Sequence, residues 1–125
     1  MNNKGQSLVL FVVIIPIILL VIMAIVDIGK ISLLKSSLDD INYMVIEYGL
    51  DNLDNPELTK KLEDTIKKNK SDIDNIEVNI NNDKINIILI DDVDLVLLKN
   101  SNIFSVKSNY IGYIKNDKKI IERNK

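Results

Sequence analysis

At 125 residues, with 16 Lys and Arg against 18 Asp and Glu, the chain carries a net charge of −2 and has length for one small domain. The basic residues are interspersed with acids, which argues against nucleic acid as a partner, because that binding depends on clustered Lys and Arg. The sequence has no His and no Cys, so the usual general base, the thiolate nucleophile, cysteine metal sites and disulfides are all excluded, and neither an enzyme nor a bound cofactor or metal is expected.

The chain opens with Lys4-Gly5-Gln6-Ser7 and then runs without a charge from Leu8 to Val26. Those nineteen residues make a helix of roughly 28 Å, close to the thickness of a bilayer's hydrocarbon core. Sixteen are Leu, Ile, Val or Phe, which favours insertion by about 5 to 9 kcal/mol. A cleaved secretory signal has a shorter apolar core and an A-x-A-like site, so the run reads as an uncleaved anchor. A fully buried helix of a soluble protein is the competing reading, but the 99 residues after Val26 are too few to cover every face of it. All the acids follow this run, as do all the bases except Lys4. Lys30 and Lys35 on the far side leave the orientation undecided by charge alone. Heavy use of Ile, Asn and Lys fits an AT-rich bacterial genome. Pro16 is tolerated in membrane helices and can also kink them. Asp27 is expected to mark the membrane interface, an ion pair with a neighbour's Lys30 or Lys4 being the lesser alternative.

Beyond Gly29, Ile31, Leu34, Leu38, Ile41, Val45 and Tyr48 follow the a/d spacing of a helix seam. Fewer than three heptads are present, so this amphipathic extension is expected to pack on the chain's own domain rather than in a coiled coil. Gly49 and Asp51-Asn52-Leu53-Asp54 read as its stop. Asn55-Pro56-Glu57 begins a second helix, with Leu58, Leu62 and Ile66 on one side, fading at Asn69-Lys70-Ser71-Asp72.

From Ile76 the period changes to two. Ile76, Val78 and Ile80 alternate with polar residues, Asn82-Asp83 turns the chain, and the nearly continuous apolar run from Ile85 to Ile90 is expected to return as a central strand. Asp91 to Lys99, acids first and a base last, is expected to form a short crossover helix. A second hairpin runs from Ile103 to Lys115 and back from Lys118 to Glu122 through Asn116-Asp117, setting Tyr113 opposite Ile120 and Gly112 opposite Ile121. Asp72-x-Asp74 and Asp91-Asp92-x-Asp94 lack the glycine and terminal Glu of a calcium loop and read as solvated acidic turns. Tyr43, Tyr48, Tyr110 and Tyr113 are expected to serve packing.

The expected organisation is therefore α+β: residues 1–7 a short cytoplasmic leader, 8–26 a transmembrane helix, 27–50 its amphipathic extension, and 51–125 a small exported domain with an antiparallel sheet of about four strands. This layout is pilin-like. Gly5-Gln6-Ser7-Leu8-Val9, Phe11, Pro16 eleven residues after Gly5, Asp27 eleven after Pro16, and Gly29-Lys30 resemble the N-terminal signature of TadE-like proteins, minor pseudopilins of the tight-adherence (Flp) pilus system. The resemblance covers about residues 4 to 30. It implies a single-pass protein of the bacterial cytoplasmic membrane with its N-terminus inside and its domain outside. Its partners would be the lipid bilayer and other pilin-like or pilus-assembly proteins, including further copies of itself through the N-terminal helix. In relatives processed by a prepilin peptidase, the cut would fall between Gly5 and Gln6. The family usually has Glu followed by Phe at the fifth residue after that glycine, where this chain has Leu10-Phe11. The alternative is a membrane-tethered, extracytoplasmic interaction domain of an unrelated surface complex.

Overall fold

The structure is a computed structural model that describes residues 3–97 and 104–124. Its spine is a single helix, α1, from Asn3–Leu50, 48 residues and roughly 72 Å long. Pro16 lies inside it. The most apolar 18-residue stretch has no buried residue, and by length and composition this helix is long and apolar enough to cross a membrane.

From Leu38 onward the same helix becomes part of a folded domain. Leu38, Ile41, Val45, Ile46 and Leu50 are buried, and Ile31 and Leu34 pack against them half-covered. Tyr48, expected on this seam, lies outside it at 36% exposure. A straight helix of 3.6 residues per turn drifts away from a strict heptad, so by the last turn Gly49 has taken the inward position.

Helix α2 (Leu58–Asn69) buries Leu58, Leu62 and Ile66 against α1 and the sheet. It starts after the proline rather than at it. Asn55 Oδ1 accepts the Glu57 amide at 2.9 Å, so the cap chemistry expected of Asn55 is present, but Pro56 and Glu57 form a turn ahead of the first helical residue.

The sheet is a meander of four antiparallel strands in the order β1 (Asn75–Asn81), β2 (Lys84–Val93), β3 (Phe104–Lys115) and β4 (Lys118–Arg123). Both outer connections are two-residue turns in which the central residues take positive φ: 50° and 64° at Asn82 and Asp83, 53° and 63° at Asn116 and Asp117. Asn and Asp tolerate that conformation, and such turns match the twist of the flanking strands. The register sets Tyr113 opposite Ile120 and Gly112 opposite Ile121. Strand β2 is central and sends Ile85, Ile87 and Leu89 into the core.

The crossover helix expected over Asp91 to Lys99 is not formed. Asp91, Asp92 and Val93 continue β2 opposite Val106, Ser105 and Phe104, and Asp94 to Leu97 are non-helical; Leu98 and Lys99 lie outside the described residues, as does Ile103, the expected start of the next strand. Cross-strand pairing and the alternation of a buried Asp91 with an exposed Asp92 outweigh a weak dipole pattern. With that segment extended, β2 and β3 are direct neighbours rather than members of two separate hairpins.

Two glycines permit the close approach of helix and sheet. A methyl group at Gly112 would run into Ile46 Cγ2, and one at Gly49 would lie 2.7 Å from Ile85 Cδ1 and 3.1 Å from Leu62 Cδ1. Gly112→Ala should therefore destabilise the domain by about 1 to 3 kcal/mol, through overpacking against a β-branched side chain with little rotamer freedom. Denaturant unfolding of the full chain in detergent, followed by circular dichroism, checks this; an unchanged midpoint would mean that the contact relaxes freely.

Candidate functional site

Among the described residues, no group of three or more acidic side chains stands ready to hold a metal ion. The feature with a definite geometry is a line of polar contacts by which α1 holds the sheet, beginning where the apolar run ends.

Asp27 is the first of these. One residue past Val26, it is only 4% exposed. Its Oδ1 accepts the Val96 amide at 2.6 Å and its Oδ2 accepts the Leu97 amide at 2.8 Å. Two short bonds to a carboxylate are of the charge-assisted kind, about twice as strong as neutral ones. The expectation that Asp27 marks an interface said nothing of this role. Its partners are main-chain amides almost seventy residues away. The sequence carries no sign of that pairing, because any residue type offers an amide.

The contacts continue up the helix. Lys30 Nζ donates to the Asp94 carbonyl at 3.1 Å, and Lys35 Nζ donates to the Lys107 carbonyl at 2.7 Å and to Asp39 Oδ1 at 3.1 Å. Asp39 Oδ1 also accepts the Ser108 hydroxyl at 2.6 Å, with Arg123 3.6 Å from its other oxygen. Asn42, fully buried, donates through Nδ2 to the Ile87 carbonyl at 2.9 Å and to Ser108 O and Oγ at 3.3 and 3.2 Å. It thus ties one turn of α1 to both central strands. Lone polar residues at Asp39 and Asn42, beside the buried Leu38 and Ile41, were the available signal for this arrangement.

The remaining residues singled out by sequence lie as follows. Gly5, Gln6, Leu10 and Phe11 are exposed on the first turns of α1, and Gly29 is half-buried with nothing within 4 Å of where a methyl group would sit. Tyr43 is exposed, Tyr110 packs against the core, and Tyr48 and Tyr113 each lie under a lysine, Lys61 at 5.9 Å and Lys84 at 5.5 Å from the ring centres.

Of the two acidic stretches expected as solvated turns, Asp72 and Asp74 lie in the bend before β1, whereas Asp91 and Asp92 continue β2 and Asp91 is buried. Lys70 Nζ sits 3.0 Å from Asp72 and 3.5 Å from the buried Asp91. Asp74 Oδ2 accepts the Asp92 amide at 2.9 Å, and Asp92 Oδ1 accepts the Ser105 hydroxyl at 2.7 Å. The hydrogen bond from Lys70 holds the Asp72 carboxyl below its ordinary range. Asp74 shifts the other way, because its carboxyl shares a hydrogen bond with the Asp92 carboxyl. The two therefore act oppositely with pH: what Asp72 contributes to stability is lost as pH falls, whereas the Asp74–Asp92 pairing is favourable in acid and lost as pH rises.

No family model, no curated protein and no solved structure matches this chain.

Two outcomes test these contacts. Asp27→Ala should leave the Val96 and Leu97 amides without acceptors, cost about 1 to 3 kcal/mol, and speed hydrogen exchange at those two amides while the strands around Asn42 stay protected. Unchanged exchange there would show that the carboxylate holds nothing. Asp74→Asn retains an acceptor for the Asp92 amide and removes a like charge. The thermal midpoint should rise at about pH 7, with that advantage gone by about pH 3, where the parent's own carboxyl is protonated.

Proposed function

We propose that the chain is a membrane-anchored, TadE-like pseudopilin, a structural or assembly component of a tight-adherence-type pilus or related secretion apparatus. The observation that carries this reading is the continuity of α1. The Gly5, Pro16, Asp27 and Gly29 pattern, the bare apolar half and the half that packs on an antiparallel sheet all belong to one uninterrupted helix. The division of labour supports a subunit whose domain is carried at the end of its own anchor. In this reading residues 8–26 cross the bacterial cytoplasmic membrane once, with residues 1–7 inside and the domain outside.

Leu10 sharpens the role. In pilins a carboxylate at this position can be tolerated in the membrane through its pairing with a neighbouring subunit's new N-terminal amine, since an unpaired intramembrane charge is expensive. Leu10 has no group to make that pair. The proposal is accordingly a membrane-resident or low-stoichiometry member of the apparatus, not the repeating subunit of a fibre.

Three measurements on native cells test it. The chain should remain in the membrane fraction and be absent as a major species from sheared surface filaments, and protease added outside intact cells should cut the C-terminal domain. Mature chain beginning at Gln6 and distributed along sheared filaments would overturn the resident role. A domain protected from external protease would overturn the topology. Genes for a secretion ATPase, two polytopic platform proteins and a prepilin peptidase next to this one are expected; a surface enzyme or transporter in their place would favour the unrelated tethered domain.

A further inference from the structure

The two ends of the sheet expose different side chains among the described residues. The turns at Asn82-Asp83 and Asn116-Asp117 lie at the end where Gly112 meets Ile46 and Leu50, far along α1, and both are wholly polar. The connection that leaves β2 at Val93 starts at the opposite end, where Val96 and Leu97 donate their amides to Asp27, and its described part, Asp94 to Leu97, carries three apolar residues in a row. Its Leu95 is buried and serves packing. Val96 and Leu97 are not: they stand 44% and 40% exposed, and Phe104, the first residue of β3, is 43% exposed beside Val93.

The hydrogen bonds from Asp27 fix where this surface stands relative to the apolar run. Asp27 follows Val26 directly, and its oxygens lie 2.6 and 2.8 Å from the Val96 and Leu97 amides. When residues 8–26 fill the hydrocarbon core, whatever is bonded to Asp27 sits inside the adjoining headgroup layer, which is roughly 5 to 7 Å deep. Lys30, exposed and one turn past Asp27, donates to the Asp94 carbonyl and adds a cation at the same end of the domain.

We infer that Val96 and Leu97 form a second membrane contact, resting in the headgroup and acyl boundary of the leaflet next to Asp27. This rests on reading α1 as a membrane anchor. The occupant is lipid, because a protein partner would have to displace headgroups to reach side chains held at that depth. The burial is of the kind that seats interfacial apolar residues a few ångströms into a leaflet, here presented by a loop instead of an amphipathic helix. Asp27 is the positioning residue: it accepts the Val96 and Leu97 amides and leaves those two side chains to the bilayer.

The absence of cysteine makes the test direct. Single nitroxide labels are attached to full-length Val96→Cys and Leu97→Cys in phosphatidylcholine and phosphatidylglycerol vesicles. Leu19→Cys serves as a reference within the apolar run and Lys60→Cys as one on α2. Relaxation by oxygen, which partitions into lipid, is compared with relaxation by a water-soluble nickel complex. The oxygen-to-nickel ratio at 96 and 97 should lie several-fold above that at 60 and below that at 19. A ratio at 96 and 97 equal to that at 60, with 19 deep in lipid, would overturn the inference while leaving the anchor intact, and would make this surface a protein-docking one. A water-exposed label at 19 would overturn the anchor and the inference together.

Discussion

One helix has to satisfy two surroundings, and the structure follows from how α1 divides between them. Its first half is apolar on every side, so no small domain can cover it. Its second half is apolar on one side, and a sheet and a short helix close over that side. Between the halves the helix needs polar groups that tolerate a boundary. Those groups, Asp27, Lys30 and Lys35, bond to main-chain atoms of the sheet and its connection. Main-chain partners make the grip independent of which side chains β3 presents.

The packed half relies on closeness as much as on apolar area. Gly49 lets the helix approach Leu62 and Ile85, and Gly112 lets the sheet approach Ile46. Asn42 then fixes position: a buried amide bonded to strands β2 and β3 resists sliding of the helix along the sheet, which a uniformly apolar seam would permit. The cost is an Asn42 Oδ1 with no partner among the described residues, since a buried acceptor left unpaired is unfavourable.

Much of the fold was legible in the sequence because it is written in local signals. A period of two, two Asn-Asp turns and a nearly continuous apolar run specify two hairpins and the central place of β2. The segment from Asp91 onward misled, because its acids precede its apolar residues as in a helix, while its actual partners lie on β3. Non-local pairing leaves no mark on a short window. The heptad reading found Leu38, Ile41 and Val45 but fell one residue short in the last turn, at Tyr48 instead of Gly49. Asp27 was legible as a boundary and illegible as a clasp, for the reason that an amide acceptor is recognised only once the loop is folded against it.

The unbroken path of α1 has a mechanical consequence. Most tethered domains hang from a linker that lets them sample many orientations. Here the anchor and the domain share one rod, and the polar contacts from Asp27 to Asn42 brace the domain along it. On the proposed membrane reading, any tilt of the anchor in the bilayer, ordinarily about 20° for a membrane helix, is handed on to the domain undiminished. A bend at Pro16 would sit at the pivot of that lever, well below the load. On that same reading the domain is built to be aimed by its anchor, and a force applied to its sheet would be felt as torque inside the bilayer.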